Sequence, residues 1–383
     1  MTSPTRPCIK KAGNRGSDDA MNVRQVTKIE PLDALRGLAA LLIVLHHYMT
    51  HFGEILEVRI QPIYFNILTA LSSINVQVVH FFFILSGFCI ALSVKGRKFE
   101  TKQEWTDYFS RRVWRILPLY FLAIAFSVCI LLAVHHDVVL KQLSIEIIGN
   151  LLFLQTSKMA TPYWFAPAAE NGPLWSISFE VFYYALLPFV YVLKRKYFYR
   201  FRTSTNFAIL LALSMLAYGI SKVVFIPWLL FFSFFPLWFL GYYSGYLYLK
   251  KEHHYPLFLM VAVTFIGLYC VSNVYKVNYL KSLSTAMLLA VAFHVYCHQT
   301  SFSTPRLIEP IVKFFSIIGA GSYAIYVMHF PFIRLMTDYQ VDCSMAVVYL
   351  VLFVIVCIAI DIFSQKYLRK WIVSAWNRVL PRS

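Results

Sequence analysis

Residues 344–364 read SMAVVYLVLFVIVCIAIDIFS, and this run decides the fold class because it contains a single charged side chain. A helix of about 20 apolar residues is long enough to cross the hydrocarbon core of a bilayer. Similar windows recur along the chain, at residues 32–50, 74–94, 116–134, 174–193, 204–222, 226–248, 256–273, 279–298 and 311–332. The sequence therefore predicts an all-α polytopic membrane protein, a bundle of about ten transmembrane helices.

The composition of the whole chain agrees with this prediction. Of its 383 residues, 59% are hydrophobic and 14% are charged, whereas soluble domains average about 45–50% and about 25%. The mean hydropathy is +0.62. A chain this apolar cannot cover itself with its own polar surface, so the lipid bilayer is its expected solvent and partner.

The basic residues indicate orientation rather than a nucleic-acid partner. Lysine and arginine number 35 against 18 acidic residues, for a formal net charge of +17. When the N-terminus is placed in the cytoplasm, 27 basic residues fall in inner segments and seven in outer segments. This asymmetry follows the positive-inside rule and predicts that both termini are cytoplasmic. We therefore expect no nucleic acid among the partners.

The predicted spans divide the chain into three parts. Residues 1–31 are polar and lack the short apolar core of a signal peptide, so we expect a disordered cytoplasmic tail, with Met21 as a second candidate start. Residues 32–364 form the predicted transmembrane domain, and residues 365–383 form a basic cytoplasmic tail. Within the domain, the apolar piece of the outer segment 135–173 is too short to span, which predicts an interfacial or re-entrant segment.

The seven cysteines form no CxxC pair, and most lie in apolar windows. This pattern argues against a disulfide framework and against a zinc site. His294 and His298 have an i, i+4 spacing that would suit a metal ion, but the sequence offers no evident third ligand. Structural roles are favoured for both, and no metal is predicted.

Ionisable residues inside the first span are candidates for chemistry, because such groups are costly in a membrane and usually face a polar interior. This span contains Arg36, His46 and His47. The step from Arg36 to His47 is three helical turns plus roughly 20°, with about 16 Å of rise. His47 therefore shares the face of Arg36, whereas His46 is rotated by roughly 100°. The alternative is an arginine that snorkels to the headgroups beside structural histidines.

Two further spans place a histidine and a carboxylate at the predicted level of His47. His80 lies in the second span and Glu180 in the fourth, both in the outer half of the bilayer. A carboxylate that orients an imidazole suits general base catalysis. The spacing leaves equally open that Glu180 is only a structural partner of a tyrosine or an arginine.

Three arginines, Arg111, Arg112 and Arg115, stand at the cytoplasmic entrance of the third span. Arginine binds phosphate oxygens through a planar fork, which suits a phosphorylated cytoplasmic ligand. A topological anchor beside anionic headgroups explains the same charges and is favoured by charge alone. The sequence contains none of the short phosphate-loop, dinucleotide, nucleophile-elbow or zinc-protease motifs.

Ordered motifs along the chain resemble the membrane acyltransferase-3 family, which includes O-antigen and exopolysaccharide O-acetyltransferases. The family's arginine, ten residues and histidine correspond to Arg36 and His47. Four more segments match, namely FFILSGF at Phe82–Phe88, RRVWRILPLY at Arg111–Tyr120, WSISFEVFY at Trp175–Tyr183 and GAGSYAIYVMHFP at Gly319–Pro331. The residue before the aromatic run, often acidic in this family, is His80 here.

This resemblance implies a multi-pass acyltransferase of the bacterial inner membrane that moves an acyl group from cytoplasmic acyl-CoA to a hydroxyl group. The expected donor is acetyl-CoA, the expected acceptor is a saccharide or lipid-linked glycan, and no tightly bound cofactor is implied. His47 would remove the acceptor proton or carry the acyl group, Arg36 would orient the donor, and Glu180 would support the polar cluster. The entrance arginines Arg111, Arg112 and Arg115 would contact the donor.

The acceptor side is less constrained by the sequence. Candidate acceptor contacts are His80, Trp175, Tyr323 and His329, with Tyr163 and Trp164 near the outer mouth as further aromatic candidates. A carrier or flippase for a lipid-linked saccharide is the alternative function, since polar groups inside a helix bundle also suit a conduit. The sequence lacks obvious inverted repeats, which counts against a carrier, and it is compatible with a homo-oligomer.

Overall fold

The computed structural model describes residues 29–95, 97–135, 137–156, 164–197, 203–224 and 226–368. Both predicted tails lie almost entirely outside these ranges. The described helices are α1 (Glu30–Arg59), α2 (Pro62–Ser72), α3 (Asn75–Ser93), α4 (Lys102–Val134), α5 (Leu140–Leu151), α6 (Trp175–Lys196), α7 (Thr203–Val223), α8 (Pro227–Leu230), α9 (Phe235–Lys250), α10 (Tyr255–Val274), α11 (Asn278–Thr300), α12 (Glu309–Ala320), α13 (Ser322–Asp338) and α14 (Cys343–Phe363).

The structure confirms an all-α polytopic membrane protein, although several predicted spans are not single straight helices. Among the described residues, seven helices are long and apolar enough to cross a membrane. Helices α12 and α13 meet at a 68° bend, and they count as an eighth span if the pair is one broken span rather than a re-entrant loop. The window 204–222 is occupied by α7, and the window 226–248 by the short α8 followed by α9. A proline stands in the first turn of α8 and of α9, where its missing N–H costs nothing.

Helix α1 crosses α12 at backbone contact distance, and two glycines make this approach feasible. A Cβ atom on Gly37 would lie 2.1 Å from the carbonyl oxygen of Phe315, and one on Gly319 would lie 1.9 Å from that of Asp33. Small residues allow membrane helices to pack this closely. The crossing holds the stretch of α1 that carries Arg36 beside the bend that precedes α13.

A second close crossing joins α3 to α9. A Cβ atom on Gly87 would lie 2.1 Å from the carbonyl oxygen of Trp238, and one on Gly241 would lie 2.2 Å from that of Ile84. Both crossings leave no room for a larger side chain in the contact. Ser86, the neighbour of Gly87, is thereby held at a fixed position in the bundle.

Aromatic side chains fill the centre of the bundle around Phe83 of α3. Its ring contacts those of Trp175, Phe179 and Tyr183 on α6, with centroid separations of 6.2, 6.3 and 5.8 Å. Such edge and tilted contacts add a specific geometry to the burial of apolar surface. This packing fixes the rotation of α6 relative to α3, and with it the direction in which Glu180 points.

The segment 135–173, predicted not to span, contains no helix longer than α5 among its described residues, and α5 has 12 residues. The chain then turns through left-handed backbone at Ala169 and Glu170, with φ of 48° and 59°. The buried amide of Asn171 anchors this turn by donating to the carbonyl oxygen of Val327 at 2.8 Å and to Ser127 Oγ at 3.0 Å. An interfacial or re-entrant course for the segment stays a prediction.

Candidate active site

A polar cavity of about 320 Å³ lies between α1, α3, α4, α6 and α13. Four arginines line this space, which we call the arginine cavity: Arg36, Arg111, Arg112 and Arg115. Its remaining polar lining includes Ser86, Ser93, Ser176, Glu180, Tyr184, Ser322, Tyr323, Tyr326 and Gln365. The arginine of the first span and the three entrance arginines, far apart in sequence, are therefore neighbours in the fold.

The arginines of the cavity differ in how much of their hydrogen-bonding capacity the protein itself uses. Arg112 is buried, donates from Nη1 to the carbonyl oxygen of Tyr108 at 3.0 Å and from Nη2 to Ser93 Oγ, and stacks on the Tyr108 ring. Arg115 is an exposed residue that lines the cavity. Arg36 lies 3.7 Å from Asp33 and is close enough to Arg115 for electrostatic repulsion.

Several cations gathered beside apolar walls favour an anionic ligand. Arg36 and Arg115 repel each other, and a bound anion would relieve that repulsion because opposite charges stabilise each other strongly at low dielectric. Guanidinium groups also match phosphate oxygens in geometry. The arginine cavity is therefore suited to a polyphosphate or a similar multivalent anion.

Glu180 is the carboxylate of this cavity, and it accepts hydrogen bonds from one side chain of α3 and one of its own helix α6. Ser86 Oγ of α3 donates to Glu180 Oε1 at 2.7 Å, and the Tyr184 hydroxyl, one turn along α6, donates to the same oxygen. Trp238 Nε1 of α9 donates to Ser86 Oγ at 3.3 Å. The charge of Arg115 also acts on this carboxylate. Glu180 is thus held in place within a network of α3, α6 and α9.

Helix α13 leads from the cavity toward the other end of α1. Tyr323 and Tyr326 line the cavity; the hydroxyl of Tyr323 donates to the carbonyl oxygen of Ile116 at 3.2 Å. The hydroxyls of Tyr326 and Ser176 lie 2.8 Å apart, within hydrogen-bond distance. His329 follows Tyr326 by almost one turn of the same helix, so its side chain lies next along this path.

His329 meets His47 where α13 packs against α1. The two imidazole centroids are 5.2 Å apart at an interplanar angle of 38°, and Phe330 lies edge-on to His47 at 4.9 Å. His329 is completely buried, whereas His47 is partly exposed. We call these two residues the histidine pair. The pair joins the first and the last of the matched sequence motifs.

His46, adjacent in sequence, has different neighbours from His47. Its Nδ1 lies 3.1 Å from the carbonyl oxygen of Ser72, and its Nε2 lies 2.9 Å from the side-chain amide nitrogen of Asn75. Both ring nitrogens therefore have partners at the junction of α2 and α3. This arrangement makes His46 a link between α1 and that junction, in line with the predicted rotation away from His47.

The predicted common level of His47, His80 and Glu180 does not produce one cluster. Glu180 belongs to the arginine cavity, and His47 packs against His329. His80 is buried with its ring 4.7 Å from that of Phe234. The reason is that window positions give depth along a helix but neither its tilt nor the direction in which each side chain points.

The aromatic candidates for the acceptor also separate. Trp175 packs in the aromatic core against Phe83 and Phe179, beside Ser176 of the cavity. Trp164 lies 4.6 Å from Trp228 in an edge contact, and Tyr163 lies outside the described residues. Tyr323 lines the arginine cavity. Of the four residues predicted to contact the acceptor, only His329 has a described ring contact with His47.

Several polar residues of the site escape reasoning from sequence alone. Ser86 and Tyr184 hold Glu180, and the buried Asp361 of α14 accepts hydrogen bonds from Ala324 N at 3.2 Å and from the side-chain amide of Gln365. Arg36 and Arg115 interact electrostatically with Asp361. Asp361 is the single charge in the apolar run 344–364, and that isolation is the signal that identifies it.

His294 and His298 meet a third histidine in the fold, His253, whose ring is 4.8 Å from that of His298. His294 is fully buried, stacks on Phe258 and lies 2.9 Å from Ser244 Oγ through Nδ1. In the part of the chain that the structure describes, no group of three or more histidine, cysteine or acidic residues is arranged to hold a metal ion.

The fold and the cavity together define an integral membrane protein with a highly basic polar site between its helices. Residues 29–363 match the family model described as an acyltransferase domain, the acyltransferase-3 family, and the chain belongs to this family. It is therefore a membrane acyltransferase. Comparisons with curated proteins and with solved structures gave no significant match.

Proposed function

We propose that this protein is an O-acetyltransferase of the bacterial inner membrane. It takes the acetyl group from cytoplasmic acetyl-CoA and transfers it to a hydroxyl of a saccharide or lipid-linked glycan. The observation that carries the proposal is the convergence of four arginines in one cavity from which α13 leads directly to the histidine pair, in a chain of an acyltransferase family.

On the donor side, the arginine cavity binds the phosphates of acetyl-CoA. Arg115 and Arg36 supply the cationic contacts, because Arg112 is already bound to Tyr108 and Ser93. Glu180 keeps the cavity ordered through Ser86 and Tyr184. The thioester end of the donor then extends along α13, past Tyr323 and Tyr326, toward His47.

On the acceptor side, His47 removes the proton of the acceptor hydroxyl or carries the acetyl group in transit. In the first case the acceptor oxygen bonds to the acetyl carbon as the thioester carbon–sulfur bond breaks. In the second case the His47 nitrogen bonds to the acetyl carbon as that bond breaks, and the acceptor oxygen then displaces the imidazole. In both cases coenzyme A leaves as a thiolate that takes up a proton. A positioned imidazole typically accelerates such a proton transfer by about 10²–10⁴-fold.

The test uses purified protein in liposomes with radiolabelled acetyl-CoA and a membrane glycolipid extract. We expect release of coenzyme A in proportion to label transferred to the glycan, with both lost in His47→Ala. Translocation of the glycolipid without release of coenzyme A would instead establish the carrier function. Absence of both activities with every glycan fraction would contradict the saccharide acceptor.

The predicted orientation is checked separately by thiol labelling of a cysteine-free variant. Lys98→Cys, in the loop before α4, should react only when reagent reaches the cytoplasmic side, and Gln340→Cys, after α13, should react from outside intact cells. Labelling of Lys98→Cys from outside would reverse the donor side of the proposal.

A further inference from the structure

His329 has one ring nitrogen tied to the backbone and one that is free. Its Nδ1 lies 3.0 Å from the carbonyl oxygen of Ile325 and 2.9 Å from that of Tyr326. Its Nε2 is buried and has no hydrogen-bond partner among the described residues. A buried polar atom without a partner is uncommon in native proteins and calls for an explanation.

The two carbonyl oxygens determine the tautomer of this imidazole. Carbonyl oxygens only accept hydrogen bonds, so Nδ1 must carry the hydrogen, and in the neutral ring Nε2 then has a free lone pair. The same two carbonyls also stabilise the ring when Nε2 becomes protonated, because they continue to accept from Nδ1–H. This is the arrangement that prepares a histidine to act as a base.

His329 also stands where an acceptor hydroxyl would be needed. Its ring adjoins that of His47 at 5.2 Å, and it follows Tyr326, which lines the arginine cavity. At this separation the two rings are in direct contact, so a group bound at the edge of one imidazole lies beside the other. No other described histidine combines complete burial, a tautomer fixed by two backbone carbonyls and a place beside His47.

We infer that His329 is a second catalytic residue, whose Nε2 takes the proton from the acceptor hydroxyl. His47 carries the acetyl group: its ring nitrogen bonds to the acetyl carbon as the carbon–sulfur bond breaks, and the thiolate leaves toward the arginine cavity and takes up a proton. The acceptor oxygen then bonds to the acetyl carbon as the carbon–nitrogen bond breaks, and the O–H proton moves to Nε2 of His329. This inference rests on the proposed acyl transfer and deepens it by dividing the work between two imidazoles.

The other titratable groups near the pair come from both helices. His46 and His51 of α1 act electrostatically on His47, and Arg334 and Asp338 of α13 act on His51. These groups shape the pH profile jointly, because interacting sites titrate as a set. The pH profile of His46→Asn is therefore measured in the same assay. This variant shows how much of the profile comes from His46, which has its own hydrogen-bond partners.

The test compares His329→Gln with wild-type protein in the liposome assay. Glutamine keeps a polar side chain of similar reach but cannot take up a proton, so we expect kcat to fall at least about 100-fold while KM for acetyl-CoA and for the glycolipid stays within twofold. The residual rate should rise with pH, because hydroxide replaces the missing base. Added imidazole should restore part of the activity of His329→Ala.

His294→Gln is the matched control, since His294 is equally buried and also has an Nε2 without a partner among the described residues, away from the histidine pair. It should leave kcat unchanged. A His329→Gln protein with kcat within threefold of wild type, or with lower kcat but an unchanged pH profile and no imidazole rescue, would overturn the inference. Loss of the folded protein in both His329 variants would likewise make the residue structural. Wild-type protein that releases no coenzyme A would refute the proposed function itself.

Discussion

The arginine cavity and the histidine pair occupy successive stretches of α1 and α13, yet their polar groups are treated differently. In the cavity, the charges of Arg112 and Glu180 are bound by Tyr108, Ser93, Ser86 and Tyr184. In the pair, His329 leaves Nε2 without a partner among the described residues. In the cavity the protein's own groups hold Arg112 and Glu180 in place, whereas in the pair a buried basic nitrogen has no partner among the described residues.

This difference assigns different tasks to the two regions. A prearranged set of charges needs little reorganisation to bind a ligand of constant charge, such as the phosphates of a donor. A free basic nitrogen suits a group that changes protonation during the reaction. Substitutions in the cavity should therefore alter mainly donor affinity, and substitutions in the pair should alter mainly turnover.

The largest effect is expected from His47→Ala, which removes the partly exposed imidazole of the pair. We expect kcat to fall by about 10²–10⁴-fold, the usual contribution of a positioned acid–base or nucleophilic group, with KM for acetyl-CoA little changed. Steady-state kinetics at equal amounts of folded protein measure both quantities. A tenfold rise in KM for the donor at unchanged kcat would place His47 with the cavity instead.

His46→Ala is the control for this variant and has a consequence of its own. It removes the partners of the Ser72 carbonyl and the Asn75 amide, so the protein should lose roughly 1–3 kcal/mol of stability while kcat stays within threefold. A thermal melt in detergent and the same kinetic assay separate the two outcomes. Loss of turnover in the stable His46 variant would contradict the division of roles along α1.

A smaller effect, in affinity rather than turnover, is expected from Arg115→Lys. Lysine keeps the charge but loses the planar fork, so donor binding should weaken by roughly 1–3 kcal/mol, or about 5–150-fold in KM for acetyl-CoA. Arg112→Lys should instead lower stability, because Arg112 is bound within the protein. Unchanged donor kinetics for Arg115→Lys would return this residue to the role of a topological anchor.

Gly319→Val tests whether the α1–α12 crossing maintains the geometry of the cavity. The added side chain would overlap the carbonyl of Asp33, and such overpacking typically costs about 1–3 kcal/mol. We expect a several-fold fall in folded protein in the membrane, measured by fluorescence size-exclusion chromatography. Gly267→Val is the control, because nothing lies within 4 Å of a Cβ atom there; equal losses in both variants would argue against the crossing.

The smallest effect concerns Asp342, which lies before α14 and outside both regions. Its hydrogen bond from the Arg59 guanidinium holds the pKa of this carboxyl below its usual range. A folded-state pKa below the unfolded value means that the pairing stabilises the protein above the unfolded pKa and is lost as pH falls through the folded-state value. Both groups are exposed, so Asp342→Asn should lower the thermal midpoint at pH 7 by no more than about 2 °C.

The difference from wild type should shrink as the pH falls below about 4, the unfolded-state pKa. It should vanish only below the lower folded-state pKa, where the carboxyl is protonated in both states of the wild-type protein. Thermal midpoints of the two proteins measured across this range provide the check. A difference that grew on acidification would show that Asp342 acts through something other than its pairing with Arg59.

Apolar windows were enough to predict most membrane helices because the requirement for backbone hydrogen bonding in lipid leaves few alternatives. The same windows placed the start of α1 within two residues but ended it at residue 50, whereas the helix continues to Arg59. They also missed the 68° bend before α13. A helix can extend beyond the membrane or bend within it without any change in local hydrophobicity.

The candidate site was predicted unevenly for a related reason. The positions of Arg36 and the entrance arginines followed from their places at span ends, and the fold brings them together. The sequence predicts Glu180 at the level of His47, but in the structure Glu180 accepts hydrogen bonds from Ser86 and Tyr184 instead of lying beside His47. Depth along a helix can be read from the sequence, but rotation and tilt depend on packing against other helices.

The sequence by itself determined that this protein lies in a membrane, roughly where most of its spans lie and which family it resembles, because these depend on local hydrophobicity and on motifs. Only the tertiary structure decided that His329, rather than Glu180, lies beside His47. That choice rests on the glycine contacts that bring α1 against α12 and on the bend that turns α13 along α1. Such contacts join residues hundreds of positions apart, and no local pattern encodes them.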